Sequence, residues 1–237
     1  LDADGTRKLA WTTSWGTSTR LIGAAIMVHG DTSGLRMPPR VAPIQVVIVP
    51  IWRKEEERAL VADAVAAVER DLRAAGLRVK TDWRDQTPGF KFNDWELRGV
   101  PLRLEIGPKD VGKDQAVLVR RDNRAKEFVP RADLATRAQT LLAEIQQGMY
   151  DTALAFRQSR TYTAATFDEL AARMADRPNL GFVEAWWCGS ATCEADIKAK
   201  TQATIRCLPF DRPEEAGGKC VYCGQDATEW AIFAKAY

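Results

Sequence analysis

The residues with the clearest chemical spacing are cysteines: Cys188-x4-Cys193 and, at longer range, Cys220-x2-Cys223. Two tight pairs can bring four thiolates to one ion, and a site closed by four sulfurs leaves no open position for a substrate, so this spacing predicts a structural metal site. The same residues also allow a blander arrangement, four buried and unligated cysteines. Cys207, in TIRCLPF, has no close partner and is expected in the core; if it replaced one of the four, the metal would stay and the ligand set would change. All five cysteines fall between Cys188 and Cys223, which fits metal binding in a reducing compartment better than a disulfide scaffold.

Two further groups carry chemistry. Arg20 stands at the start of an expected helix, where a cation opposes the macrodipole unless an anion such as a polyphosphate lies between them. A solvated arginine is the competing reading. Phe90, Phe92, Trp95, Glu96, Arg98, Arg103, Lys109 and Lys113 interleave aromatics, cations and a carboxylate, a composition suited to stacking on unpaired RNA bases and bonding to their edges. Its plain alternative is a solvated strand face with two core phenylalanines. His29 is the only histidine, so a multi-histidine metal site is excluded; its expected role is to satisfy carbonyls at a helix end.

The elements that must position these groups follow from pattern. Residues 9–15 read as a strand, followed by a turn at Gly16 and a helix with Leu21, Ile22, Ala25, Ile26 and Met27 on one side. The Gly/Pro-rich stretch GDTSGLRMPPRVAP marks a boundary. Ile44–Ile51 is a β-branched run expected as a parallel strand buried on both faces, and KEEERALVADAVAAVERDLRAAG is an amphipathic helix. With the strand LRVKTDW they make a right-handed βαβ unit. Residues 84–99 show no sustained period and read as a loop with a short helical turn. VPLRLEIG and QAVLVRRD are strands, and residues 131–160 form a long helix leading into the cysteine-bearing part.

The chain has 237 residues, 46% apolar and 28% charged, enough for one large core or two modest ones. A formal net charge of +2 gives no global pull toward nucleic acid. No apolar run approaches the roughly 20 residues of a membrane span, and LDADGTRK is not a secretory signal. The expectation is a cytoplasmic protein with no membrane partner.

The stretches TTSWGTSTRLIGAAIMVHGD, LRMPPRVAPIQVVIVPI, PGFKFNDWELRGVPLRLEIGPKD, TQATIRCLPF, GKCVYCG and FAKAY resemble the C-terminal part of prolyl-tRNA synthetases of the archaeal and eukaryotic-like type. The resemblance implies an α/β chain in three parts. Residues 1–40 would be a strand-helix remnant of a class II catalytic domain with its third motif. Residues 41–150 would be an anticodon-binding domain with a mixed sheet and flanking helices, and 151–237 a small α/β zinc-binding domain. It further implies that Ser18 and Arg20 contact ATP and that Trp15 and Gly16 lie near the proline pocket. Phe92, Glu96, Arg103 and Lys109 would read the guanines of the proline anticodon. Cys188, Cys193, Cys220 and Cys223 would bind zinc, and the Tyr237 carboxylate would reach toward the catalytic domain.

The parent enzyme would form prolyl-adenylate from proline and ATP with magnesium, transfer proline to its tRNA, and dimerise through the catalytic domain. The first two class II motifs have no counterpart before Leu1, so the segment alone is expected to be inactive. The competing readings are a freestanding tRNA-binding accessory protein and a zinc-stabilised protein-interaction module.

Overall fold

A computed structural model describes residues 1–10, 12–211 and 217–235, which fall into two compact units, Leu1–Tyr150 and Asp151–Tyr237. The first is organised around β1 (Val46–Pro50), whose five residues are all buried. Its continuous apolarity reflects cover on both faces. β1 pairs in parallel with β2 (Val79–Thr81) on one side and β3 (Leu102–Ile106) on the other. β4 (Gln115–Arg120) and β5 (Lys126–Pro130) add antiparallel strands, giving a mixed sheet in the order β2-β1-β3-β4-β5. β5, an edge strand with a mostly exposed pattern, has no clear signature in the sequence.

Two helices supply one layer. α2 (Glu55–Ala74) carries three glutamates in its first turn and Arg73 in its last, both favourable to the helix dipole. It turns Val61, Val65, Val68 and Leu72 onto the sheet, beside Leu134, Leu141, Leu142 and Ile145 of α5 (Leu134–Ser159). These meet Val46, Ile48, Leu102, Leu104 and Leu118 in the main core. The opposite face of the sheet receives α3 (Pro88–Leu97), which packs Trp95 on Val47 and Val49. The expected loop over 84–99 is therefore a ten-residue helix. Its inward residues are Lys91 and Trp95, and a buried lysine disguised the apolar period.

The segment before the sheet departs from expectation. Residues 9, 10 and 12–15 are exposed and form no strand, since no described strand pairs with them. Only the helix, α1 (Arg20–His29), is present, and none of its residues is buried. His29 lies in its last turn, but Gly30 N–H caps the Ile26 carbonyl and the imidazole bonds to no described residue; burial, then nearby Arg36, pushes its pKa down.

The second unit holds a four-stranded mixed sheet in the order β6-β7-β9-β8, formed by β6 (Thr161–Thr163), β7 (Phe182–Trp187), β8 (Ala203–Cys207) and β9 (Glu229–Lys235). α4 (Pro108–Val111) is a single turn after β3 in the first unit; α6 (Phe167–Ala175) and α7 (Ala191–Thr201) belong to the second. Leu170, Met174, Ile197, Val183, Ala231 and Phe233 form its core. No described helix is long and apolar enough to cross a membrane.

Candidate functional site

The RNA-type cluster is built on α3. Thr87 caps the helix by accepting from Phe90 N–H at 3.4 Å, and Pro88 occupies the first turn, where its missing N–H costs nothing. Asp82, 2% exposed, then fixes the helix to the sheet. Its carboxylate accepts from Trp95 Nε1 at 2.7 Å and from Arg84 Nε and Nη2 at 2.9 and 2.7 Å, while its carbonyl accepts from Lys91 Nζ at 3.1 Å. Burial alone would push this carboxyl up, but the Arg84 guanidinium and the Trp95 N–H bring it down to about 2. The buried Lys91 ammonium has its own pKa lowered by burial.

With α3 held at Lys91 and Trp95, the residues next to them in sequence, Phe92 and Glu96, are brought alongside β3. The Arg103 guanidinium carbon sits 4.1 Å from the Phe92 ring centre, a cation stacked on an aromatic face. The same guanidinium bonds to Glu105 Oε1 at 2.9 and 2.8 Å. Glu96 Oε1 is buried and pairs with Arg124 Nη2 at 2.8 Å. Glu96 and Arg103 both line a cavity of about 150 Å³. Its other charged walls are Arg120, Arg121, Arg124 and Lys126, so positive groups surround one carboxylate. A guanidinium stacked on an aromatic ring, a carboxylate shared with Arg124 and a positive rim suit a base with N–H donors on a phosphate backbone.

Phe92, Glu96 and Arg103 are thus brought together, and Lys109 is not. It lies in α4, three residues past the carboxyl end of β3, and lines no wall of the cavity. Of the aromatics, Phe90 is half exposed, which removes it from the core. The cation-rich turn RRDNRAK, which supplies Arg120, Arg121, Arg124 and Lys126, lies outside the motifs singled out in the sequence. Its charge density was the available signal.

The cysteine cluster forms in the second unit. Cys188 directly follows β7, Cys193 sits in the first turn of α7, and Cys220 and Cys223 occupy the turn before β9. Gly224 adopts φ +70° and donates to the Cys220 carbonyl at 2.9 Å, closing that turn. The four sulfurs all lie within 4.8 Å of one another, with Cys188 3.6 Å from Cys193 and 3.8 Å from Cys223. Zinc–sulfur bonds of about 2.3 Å in a tetrahedron require sulfurs about 3.8 Å apart, and a disulfide needs about 2.05 Å, so the spacing fits a metal and not a bridge. Burial pushes the Cys193 thiol up to about 12. Cys220 is also buried, but backbone N–H groups of Cys223, Tyr222 and Cys188 bring it down to about 7. The four residues could hold a metal ion. Cys207 is exposed on β8 beyond a β-bulge, neither in the core nor in the cluster.

The first segment presents no comparable assembly. Trp15 is fully solvated, and Gly16, Ser18 and Arg20 are exposed; Arg20 opens α1, with its backbone N–H 3.4 Å from Ser18 Oγ. Tyr237 lies outside the described residues.

Comparison with known sequences finds two matching families. The family described as "Anticodon binding domain" matches residues 45–141, and the one described as "Prolyl-tRNA synthetase, C-terminal" matches residues 168–237. Over these stretches the chain is similar to an anticodon-binding domain and to the C-terminal domain of prolyl-tRNA synthetases. Proteins named "Proline--tRNA ligase" from Roseiflexus sp. (strain RS-1) and Chloroflexus aggregans are each 50% identical to it over 240 residues, covering 100% of this chain and 49% of theirs. One from Natranaerobius thermophilus is 48% identical over 240 residues, covering 100% and 48%. The chain spans about half the length of the curated prolyl-tRNA synthetase relatives it matches.

Proposed function

We propose that this chain is the tRNA-reading part of a cytoplasmic proline–tRNA ligase, in which the pocket between α3 and β3 binds the guanines of the proline anticodon. The observation that carries it is the conjunction of Glu96 and Arg103 in one cavity with a positive rim, with Arg103 stacked over Phe92 beside it. Arg103, held flat on Phe92, offers its outer face to a base. Glu96 offers the carboxylate that accepts from guanine N1–H and N2–H, which adenine lacks. Lys109, beyond the strand end, supplies a phosphate or edge contact to the neighbouring nucleotide.

The four thiolates of Cys188, Cys193, Cys220 and Cys223 hold a structural zinc ion, which ties β7, α7 and the turn before β9 together. In the whole ligase, proline is activated by ATP with magnesium and transferred to tRNA. Ser18 and Arg20 contribute to ATP binding there, and Trp15 and Gly16 border the proline pocket. The enzyme works as a homodimer.

The test is a titration of the chain with proline tRNA and with the same transcript carrying both anticodon guanines changed to adenine, at two salt concentrations. Phosphate attraction weakens with salt for both RNAs, whereas base reading separates them. Binding that is lost on the guanine change, and made indifferent to it by Glu96→Gln, supports the reading. Equal binding to both transcripts overturns it.

A further inference from the structure

The face of the sheet that carries Arg103 does not stop at α3. Strand register places Arg103, Val119 and Lys126 in one row across β3, β4 and β5, and Glu105, Val117 and Phe128 in the next. The alternate residues Leu102, Leu104, Leu118 and Val129 face the core, so all six members of those two rows share the opposite face. At the edge of this face Phe128 is 66% exposed. A phenylalanine this exposed on an edge strand adds little to the core and invites pairing with other chains, so its ring is open to another use. Beside it, Lys126 lines the cavity that holds Glu96 and Arg103, and its ammonium pairs with no described carboxylate. Two strand spacings, about 10 Å, separate Phe128 from Glu105 along their row, so the ring lies within one or two nucleotides of the pocket.

Resting on the reading above, we propose that Phe128 and Lys126 form a second nucleotide-binding subsite, in which the ring stacks on an unpaired base flanking the two guanines and the ammonium contacts the adjoining phosphate. Its ligand is therefore single-stranded loop RNA. The charge of the walls between the two subsites, Arg103, Arg124 and Lys126, matches a phosphodiester path from one to the other. Stacking on an aromatic face does not discriminate among bases, so this subsite adds affinity and register, leaving guanine selection to Glu96.

The test uses the chain with anticodon stem-loop hairpins in which 2-aminopurine replaces, in turn, the nucleotide on either side of the guanine pair. Its fluorescence is quenched when it stacks. Wild-type protein is expected to quench one of the two hairpins. Phe128→Thr, which keeps a strand-forming residue but removes the ring, is expected to abolish that quench and weaken binding by about 5- to 150-fold. The ratio of affinities for guanine-bearing and guanine-changed hairpins should stay the same, and Phe128→Trp should restore both quench and affinity. Binding by Phe128→Thr within twofold of wild type with the quench intact would overturn the proposal while leaving guanine reading in place. Wild-type binding that ignores the guanines would instead overturn the reading of the pocket, and no binding to either hairpin would overturn both.

Discussion

Arg121, just past β4, donates from Nη1 and Nη2 to the two carboxylate oxygens of Asp31 at 2.9 and 2.7 Å, across ninety residues of chain. Its Nε donates to the Glu96 carbonyl at 2.9 Å, so one buried guanidinium joins the segment before the sheet, the end of α3 and the end of β4. The Arg121 bonds hold the Asp31 carboxyl well below the usual carboxylate range. Asp31→Asn keeps the shape but removes the charge, and is expected to cost roughly 1.5–3 kcal/mol of stability, read as a lower urea midpoint at unchanged slope. Because Arg121 positions the Glu96 backbone, the same variant should also lose part of the guanine discrimination. Full discrimination in a destabilised Asp31→Asn protein would separate the knot from the pocket.

Asp82 makes a second prediction, this time with a pH window. Its carboxyl titrates near 2 when folded against 3.8 ordinarily, so the folded state favours the ionised form. The stabilisation is complete above about pH 4 and is lost as pH falls toward 2. Trp95→Phe removes one donor from this buried carboxylate and is expected to cost about 1.5–3 kcal/mol at neutral pH. It should also raise the folded Asp82 pKa toward its ordinary value, so that less stability is lost on acidification and the loss is complete at a higher pH. Melting temperatures from pH 6 to pH 2 for the two proteins, with the Asp82 titration followed by NMR, check both parts.

The extent to which these features could be read beforehand follows from the physics of each. Val46–Pro50 and the helix Glu55–Ala74 were legible because an unbroken β-branched run and a 3.6-residue stripe each have one economical burial. The cysteine pairs were legible because their spacing is local. α3 was hidden because Lys91 stands where an apolar residue belongs, and its burial makes sense only beside Asp82, which directly follows β2. The strand expected over residues 9–15 needs a partner strand, and none of the described strands provides one. Cys207 reads as core because its neighbours are apolar, but the β-bulge before it turns it outward.

Gly99 and Gly89 give opposite predictions for the same substitution. Gly99 has φ +74°, and its missing Cβ is replaced by the approach of the Leu35 backbone, while Met37 N–H bonds to its carbonyl at 3.0 Å. Gly99→Ala meets both a left-handed backbone and a backbone clash, so a loss of at least about 2 kcal/mol is expected. Gly89 lies inside α3 with nothing within 4 Å of a modest side chain. Gly89→Ala should therefore stabilise by about 0.4–1 kcal/mol, chiefly by restricting the unfolded chain. Equal shifts in the same direction in urea titrations of the two variants would contradict this account.

The thiolate cluster gives the last prediction. The second unit has its own apolar core around Leu170, Ile197 and Phe233, so metal removal should loosen it without fully unfolding it. Trp186, Trp187 and Tyr222 pack against the cysteines, and they report on the site through their fluorescence. Protein purified without chelator is expected to carry one equivalent of zinc per chain by elemental analysis. A chelator should lower the melting transition of the second unit and change the tryptophan emission, leaving the transition of the sheet around β1 where it was. Cys220→Ser should reproduce the chelated state and resist rescue by added zinc. Cys207→Ser should match wild type in metal content and melting, because its exposed sulfur lies outside the cluster. Zinc content that falls equally in both variants would mean that Cys207 belongs to the ligand set and that the spacing of the other four sulfurs does not define the site.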